Sequence, residues 1–96
     1  MEYISWVMRM NGSSGKKPRV HNNLKYYREK LGVTQQEMEW RCDVERNQWS
    51  RYEAGEREPK IALAHRFAKV YNDIARRKGI DLQLTINDLY PSRAQN

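Results

Sequence analysis

Between Val33 and Pro59 the chain reads VTQQEMEWRCDVERNQWSRYEAGEREP, which leaves room for little beyond two short helices and a tight turn. Thr34-Gln35-Gln36-Glu37 has the order of a capping box, in which the Thr34 hydroxyl accepts from the Glu37 amide and the Glu37 carboxylate reaches back to the Thr34 amide. A helix is therefore expected to open after Thr34 and to end near Cys42. Cys42-Asp43-Val44 forms the turn, and a second helix is expected from about Glu45 to Ala54, stopped by Gly55. Met38 falls at the centre of the first helix as its buried residue, and Val44 is an apolar plug for the turn. Trp49 and Tyr52, three positions apart, face inward on the second helix. Arg46, Asn47, Ser50 and Arg51 are left for the outside.

Helical periodicity extends on both sides of this unit. Leu24, Tyr27 and Leu31 predict an earlier helix with Asn22 or Asn23 as N-cap and Gly32 as terminator. Pro59 is expected in the first turn of a longer helix with the apolar face Ile61, Ala64, Phe67, Ala68 and Tyr71, continuing through Arg76-Arg77-Lys78 to Gly79. Thr85 caps a last short helix carrying Ile86 and Leu89, which Pro91 ends. The expectation is an all-α domain of five helices over residues 23–91, preceded by a basic N-terminal arm over residues 1–22 and followed by a tail over 92–96. The arm contains the flexible composition Asn11-Gly12-Ser13-Ser14-Gly15 and the basic Lys16-Lys17-Pro18-Arg19. An equally good reading of this segment is a gene-start or expression remnant, with Met8 or Met10 as the true start.

Charge and composition narrow the function classes. The 96 residues carry 18 Lys and Arg against 12 Asp and Glu, a formal charge of +6. The excess lies on both flanks of the chain, because residues 22–55 hold six basic and six acidic side chains. A basic excess suits a polyanion partner or a merely solvated surface. The single cysteine, Cys42, allows neither an internal disulfide nor a thiol-rich zinc site. His21 and His65 lie far apart with no further ligand beside them, so no metal and no cofactor are expected. No Gly-rich phosphate loop, nucleophile elbow or paired carboxylates occur, which argues against an enzyme. The apolar run Tyr3 to Met8 is too short for a membrane span or a secretory signal, so a cytoplasmic location without membrane association is expected.

Two short helices joined by a tight turn form the helix-turn-helix, whose second helix lies in the DNA major groove. The order and spacing of several residues are similar to the Cro/repressor (lambda-repressor-like, XRE) helix-turn-helix family. These are Arg28, Gly32-Val33-Thr34-Gln35, Met38, Val44, Ser50-Arg51-Tyr52-Glu53-Ala54-Gly55, Pro59 and the apolar face that follows. The resemblance covers about residues 23–90. It implies a five-helix lambda-repressor-like fold and a sequence-specific regulator of transcription, a repressor, that binds double-stranded DNA as a homodimer. Base contacts are implied for Arg46 and Asn47, with Gln48 and Arg51 also candidates. Arg suits guanine and Asn suits adenine. Phosphate contacts are implied for Gln35, Thr34 and Ser50, and a structural ion pair for Arg28 and Glu53.

Three departures from the family pattern concern the motif itself. Glu39 stands where the family has Ala and is expected to tilt outward or to find a cation. Asp43 replaces the usual Gly at a left-handed turn position, which Asp tolerates. Glu45 replaces the Ser or Thr that caps the recognition helix, so that cap is weaker. Trp40 occupies a position polar in the family. It either marks a protein-partner surface or lies flat over its own helix. A competing function class follows from the aromatics Trp6 and Trp40 and from the neutral motif region: an antitoxin-like or adaptor module whose main partner is a protein, with DNA secondary.

Overall fold

The computed structural model describes residues 19–91, and all regular structure within them is helical: α1 Leu24–Leu31, α2 Gln35–Cys42, α3 Trp49–Glu53, α4 Ile61–Lys78 and α5 Ile86–Leu89. The expected arm lies outside the described residues up to position 18. Residues 19–22 run along the end of α3, where the Val20 amide donates to the Gly55 carbonyl at 2.9 Å.

Helix ends follow from local chemistry. Asn23 is the N-cap residue of α1, but the side chain of Asn22 does the capping, its Oδ1 accepting from the Leu24 amide at 3.0 Å. Gly32 ends α1 in the left-handed region, at φ 72°. At α2 the Thr34 hydroxyl accepts from the Glu37 amide at 3.0 Å. The Glu37 carboxylate takes up Arg41 at 2.8 Å rather than the Thr34 amide, so only one arm of the expected box forms. Asp43 adopts φ 58° at the end of α2. Gly79 closes α4 at φ 69°. At α5 the Thr85 amide donates to the Asp88 carboxylate at 2.8 Å.

α4 is the longest element and packs against α1, α2 and α5. Phe67 is fully buried between Trp49 and Tyr52, with ring centroids 4.7 and 5.4 Å away, and Trp49 also meets Tyr71 edge-on at 6.3 Å. Such edge-to-face arrangements suit the aromatic quadrupole. Leu24, Leu31, Met38, Cys42 and Leu89 complete the buried centre. Polar side chains on α4 satisfy the open carbonyls that other segments leave. Arg66 donates to the Cys42 carbonyl at 3.1 Å and Lys78 to the Leu31 carbonyl at 2.7 Å. Asn72 donates to the Leu84 carbonyl and accepts from its amide, which pins the loop before α5. The Tyr71 hydroxyl donates to the Leu24 carbonyl at 2.7 Å. Burial raises its pKa strongly, and that of Tyr90 as well, and pushes the Cys42 thiol up to about 12.

Two expectations for α4 are corrected. The helix starts at Ile61 with Lys60 as N-cap, so Pro59 precedes the first turn instead of occupying it. Ile61 is 73% exposed and does not join the apolar face, which is continued at the other end by Ile74 and Ala75. Standing at the very start of the helix, Ile61 lies ahead of the stretch that faces α1 and α2.

Candidate nucleic-acid interface

α3 is shorter than its sequence suggests. Glu45 to Gln48 form a turn and not the first turn of a helix, and Asn47 stands at φ 66°. Asn is among the few residues that take this left-handed conformation readily, and it interrupts any helix running through it. Arg46 and Asn47 therefore sit on an exposed turn directly ahead of α3, while Ser50 and Arg51 are exposed on α3 itself.

Glu39 starts this helix from the outside. It is buried, at 8% exposure, and neither tilts outward nor pairs with a cation among the described residues; its Oε2 accepts from the Trp49 amide at 3.0 Å. A carboxylate from α2 thus satisfies one of the amides left open at the start of α3. The departures at Glu39 and Glu45 belong together: the residue that would normally cap is poor, and a carboxylate six residues before it serves the start of α3 instead.

The end of α3 is fixed by Glu53. Its carboxylate accepts from Arg28 Nε and, at 3.3 Å, from Arg28 Nη2; it also accepts from the Trp49 indole N–H at 2.6 Å and from Gln35 Nε2 at 2.9 Å. The Arg28 and Glu53 side chains are only 13% and 5% exposed. Arg28 donates further to the Val33 carbonyl at 3.0 Å, and its bond to Glu53 raises its already high pKa. One carboxylate therefore ties α1, the start of α2 and both ends of α3 into a single frame.

Gln35, Gln36, Glu39, Arg46, Asn47 and Ser50 line one shallow groove, so the start of α2 and the turn ahead of α3 share a face. Gln35 has given one amide hydrogen to Glu53 and keeps the second. Thr34, at the head of the same helix, accepts through its hydroxyl oxygen and keeps its own O–H to donate. The side chains of Arg46 and Arg51 make no hydrogen bond or ion pair within the described residues. Gln48 is turned differently: half-buried, it accepts through Oε1 from Arg57 Nη1. Sequence reasoning missed both Arg57 and the role of Glu39 at the start of α3. For Glu39 a signal existed, the missing cap at Glu45, whereas nothing in the spacing points Arg57 at Gln48.

Trp40 is 77% exposed and carries the Arg41 guanidinium 5.6 Å from its ring centroid. It lies beside Val70, Asp73 and Arg77 of α4. His65 is exposed on α4. Among the described residues no group of His, Cys, Asp and Glu is arranged to hold a metal, and no helix is long and apolar enough to cross a membrane.

No curated protein and no solved structure matches the chain. A family model described as a helix-turn-helix domain matches residues 22–72, from the start of α1 into α4, and so spans the Glu53 frame, the turn and the exposed arginines. The chain therefore belongs to the helix-turn-helix domain family, a fold that suggests DNA as its partner.

Proposed function

We propose that this protein is a sequence-specific regulator of transcription, a repressor of the Cro/repressor type, that docks the face built from the start of α2 and the turn ahead of α3 into the major groove. The observation that carries the reading is the pair Arg46 and Arg51, exposed and uncommitted within the described residues on a frame otherwise tied down by hydrogen bonds. Long cationic side chains left free beside Asn47 and Ser50 are suited to reading base edges. Arg46, Asn47, Gln48 and Arg51 are assigned to bases, and Gln35, Thr34 and Ser50 to phosphates. The remaining amide hydrogen of Gln35 and the hydroxyl hydrogen of Thr34 are the donors that a phosphate oxygen would accept from. Arg28 and Glu53 hold the frame and touch no DNA. A homodimer on an inverted repeat, working in the cytoplasm, completes the proposal, since one short reading element spans few base pairs.

The test is selection from a random duplex library followed by titration of the selected site. Arg46→Ala should weaken binding by about 1–3 kcal/mol and relax the sequence preference at one position. An unchanged site and affinity would refute the assignment of the reading turn.

A second reading is favoured by Trp40, a large aromatic exposed beside Arg41 and Arg77, residue types that anchor protein interfaces. In it the fold serves mainly as an adaptor or antitoxin-like module. Failure to select any duplex sequence would move the account to this reading.

A further inference from the structure

The contact between Arg57 and Gln48 bears on what Gln48 can offer a partner. Gln48 is the N-cap residue of α3, and its backbone is held on both sides. Its amide donates to the Glu45 carbonyl at 3.1 Å, and its carbonyl accepts from the Arg51 and Tyr52 amides at 3.0 and 3.3 Å. Only its side chain is left to turn. The side-chain oxygen is taken by Arg57, from the loop that follows α3. Arg57 is itself braced: its guanidinium carbon lies 5.7 Å from the centroid of the Tyr52 ring, and Tyr52 is buried edge-on against Phe67. The orientation of an exposed loop arginine is thus referred back to the aromatic core.

We propose that Arg57 is a positioning residue for base readout, which turns the Gln48 amide oxygen toward itself and leaves the Gln48 amide nitrogen as the reading end. This rests on the reading of the face around Arg46 and Asn47 as the DNA-binding surface. A free Gln reads adenine with both ends of its amide, the oxygen accepting from N6–H and the nitrogen donating to N7. With its oxygen turned to Arg57, which occupies one of its two lone pairs, Gln48 leads with the two hydrogens of Nε2, which have no partner within the described residues. The base edge that answers two donors is guanine, which offers O6 and N7 side by side. The base that faces Gln48 is accordingly guanine, and Arg57, without touching that base, sets the choice.

The experiment is duplex selection with the full chain in four forms: wild type, Arg57→Met, Gln48→Ala and the double variant. Methionine keeps an unbranched side chain able to cover Tyr52 and removes the guanidinium, and circular dichroism confirms that each form is helical. Wild type should enrich a site with guanine at one position. Arg57→Met should move that position toward adenine by about tenfold in relative preference, leaving the others alone. Gln48→Ala should erase preference there, and adding Arg57→Met to it should change nothing more. The inference is overturned if Arg57→Met lowers affinity for all sequences alike with their ranking intact, which would make Arg57 a phosphate contact. It is equally overturned if all four forms select the same site. If wild type enriches no sequence at all, the DNA-reading proposal fails and this inference fails with it.

Discussion

Replacing Glu53 with alanine should cost this domain far more than a surface charge is worth. Four hydrogen bonds converge on the carboxylate, two from Arg28 and one each from Trp49 and Gln35, at a site where the Glu53 side chain is 5% exposed. Removing it leaves the Arg28 guanidinium, 13% exposed, with only the Val33 carbonyl. It also leaves the Trp49 indole N–H without its acceptor. Breaking a buried pair by deleting one partner costs about 3–5 kcal/mol, much of the roughly 5–15 kcal/mol that holds a small domain together. At roughly 4–8 °C per kcal/mol for a domain of this size, the Tm should fall by at least about 12 °C. Thermal melts followed by far-ultraviolet circular dichroism measure this directly. Gln35→Ala removes only the exposed member of the set and should cost no more than about 1 kcal/mol. A double-mutant cycle on Arg28 and Glu53 should give a coupling well above the 0.2–1 kcal/mol typical of exposed pairs. A Glu53→Ala melt within two or three degrees of wild type, roughly the effect of under 1 kcal/mol, would show that the carboxylate does not organise the frame.

Gly55→Ala and Gly79→Ala should separate strain from collision. Both glycines have positive φ, but a Cβ at Gly55 would lie 2.5 Å from the Val20 carbonyl oxygen, whereas one at Gly79 meets nothing within 4 Å. In chemical denaturation the second should therefore cost about 1–2 kcal/mol and the first distinctly more, with equal losses arguing against the close approach of Val20. Glu39→Ala removes the acceptor for the Trp49 amide and should destabilise by about 1–2 kcal/mol, with loss of amide exchange protection at Trp49 as the specific readout. Stability should decline as the solution is made alkaline. Cys42, Tyr71 and Tyr90 keep their protons in the folded state after the unfolded chain has released its own, so the folded form binds more protons above pH 9–10. Their contribution is complete below the ordinary pKa values and is lost on rising through them, for Cys42 between 9.0 and about 12. Cys42→Ala should flatten the thiol's share of that decline, and an unchanged pH profile would count against it.

Much of this architecture is legible in local chemistry. Gly32 and Gly79 end helices because they take up the left-handed conformation, and Thr34 starts one because its hydroxyl reaches the Glu37 amide. Met38, Trp49, Tyr52, Phe67 and Tyr71 are buried where helical spacing puts them. The less legible features depend on contacts between elements. The start of α3 moves from Glu45 to Trp49 because Asn47 takes a positive φ and the acceptor for the Trp49 amide comes from α2. Neither fact has a counterpart in the periodicity of residues 45–54. Glu39 looks misplaced when only its own helix is considered, since the amide it serves lies across the turn. The orientation of Gln48 is likewise set by Arg57, nine residues further along the chain.

The central claim is that the turn around Arg46 and Asn47 reads DNA sequence, and one measurement bears on it most directly. The affinity of the full chain for its best selected duplex is compared with that for a scrambled duplex of equal length, across a salt series. Phosphate contacts release counterions, so both affinities should fall linearly on a log–log plot against salt. The account predicts that the selected duplex is bound at least about a thousandfold more tightly at physiological salt. Arg46→Ala should narrow that gap chiefly by weakening the selected complex. Equal affinity for both duplexes at every salt concentration would contradict the account, because it would reduce the interaction to charge alone.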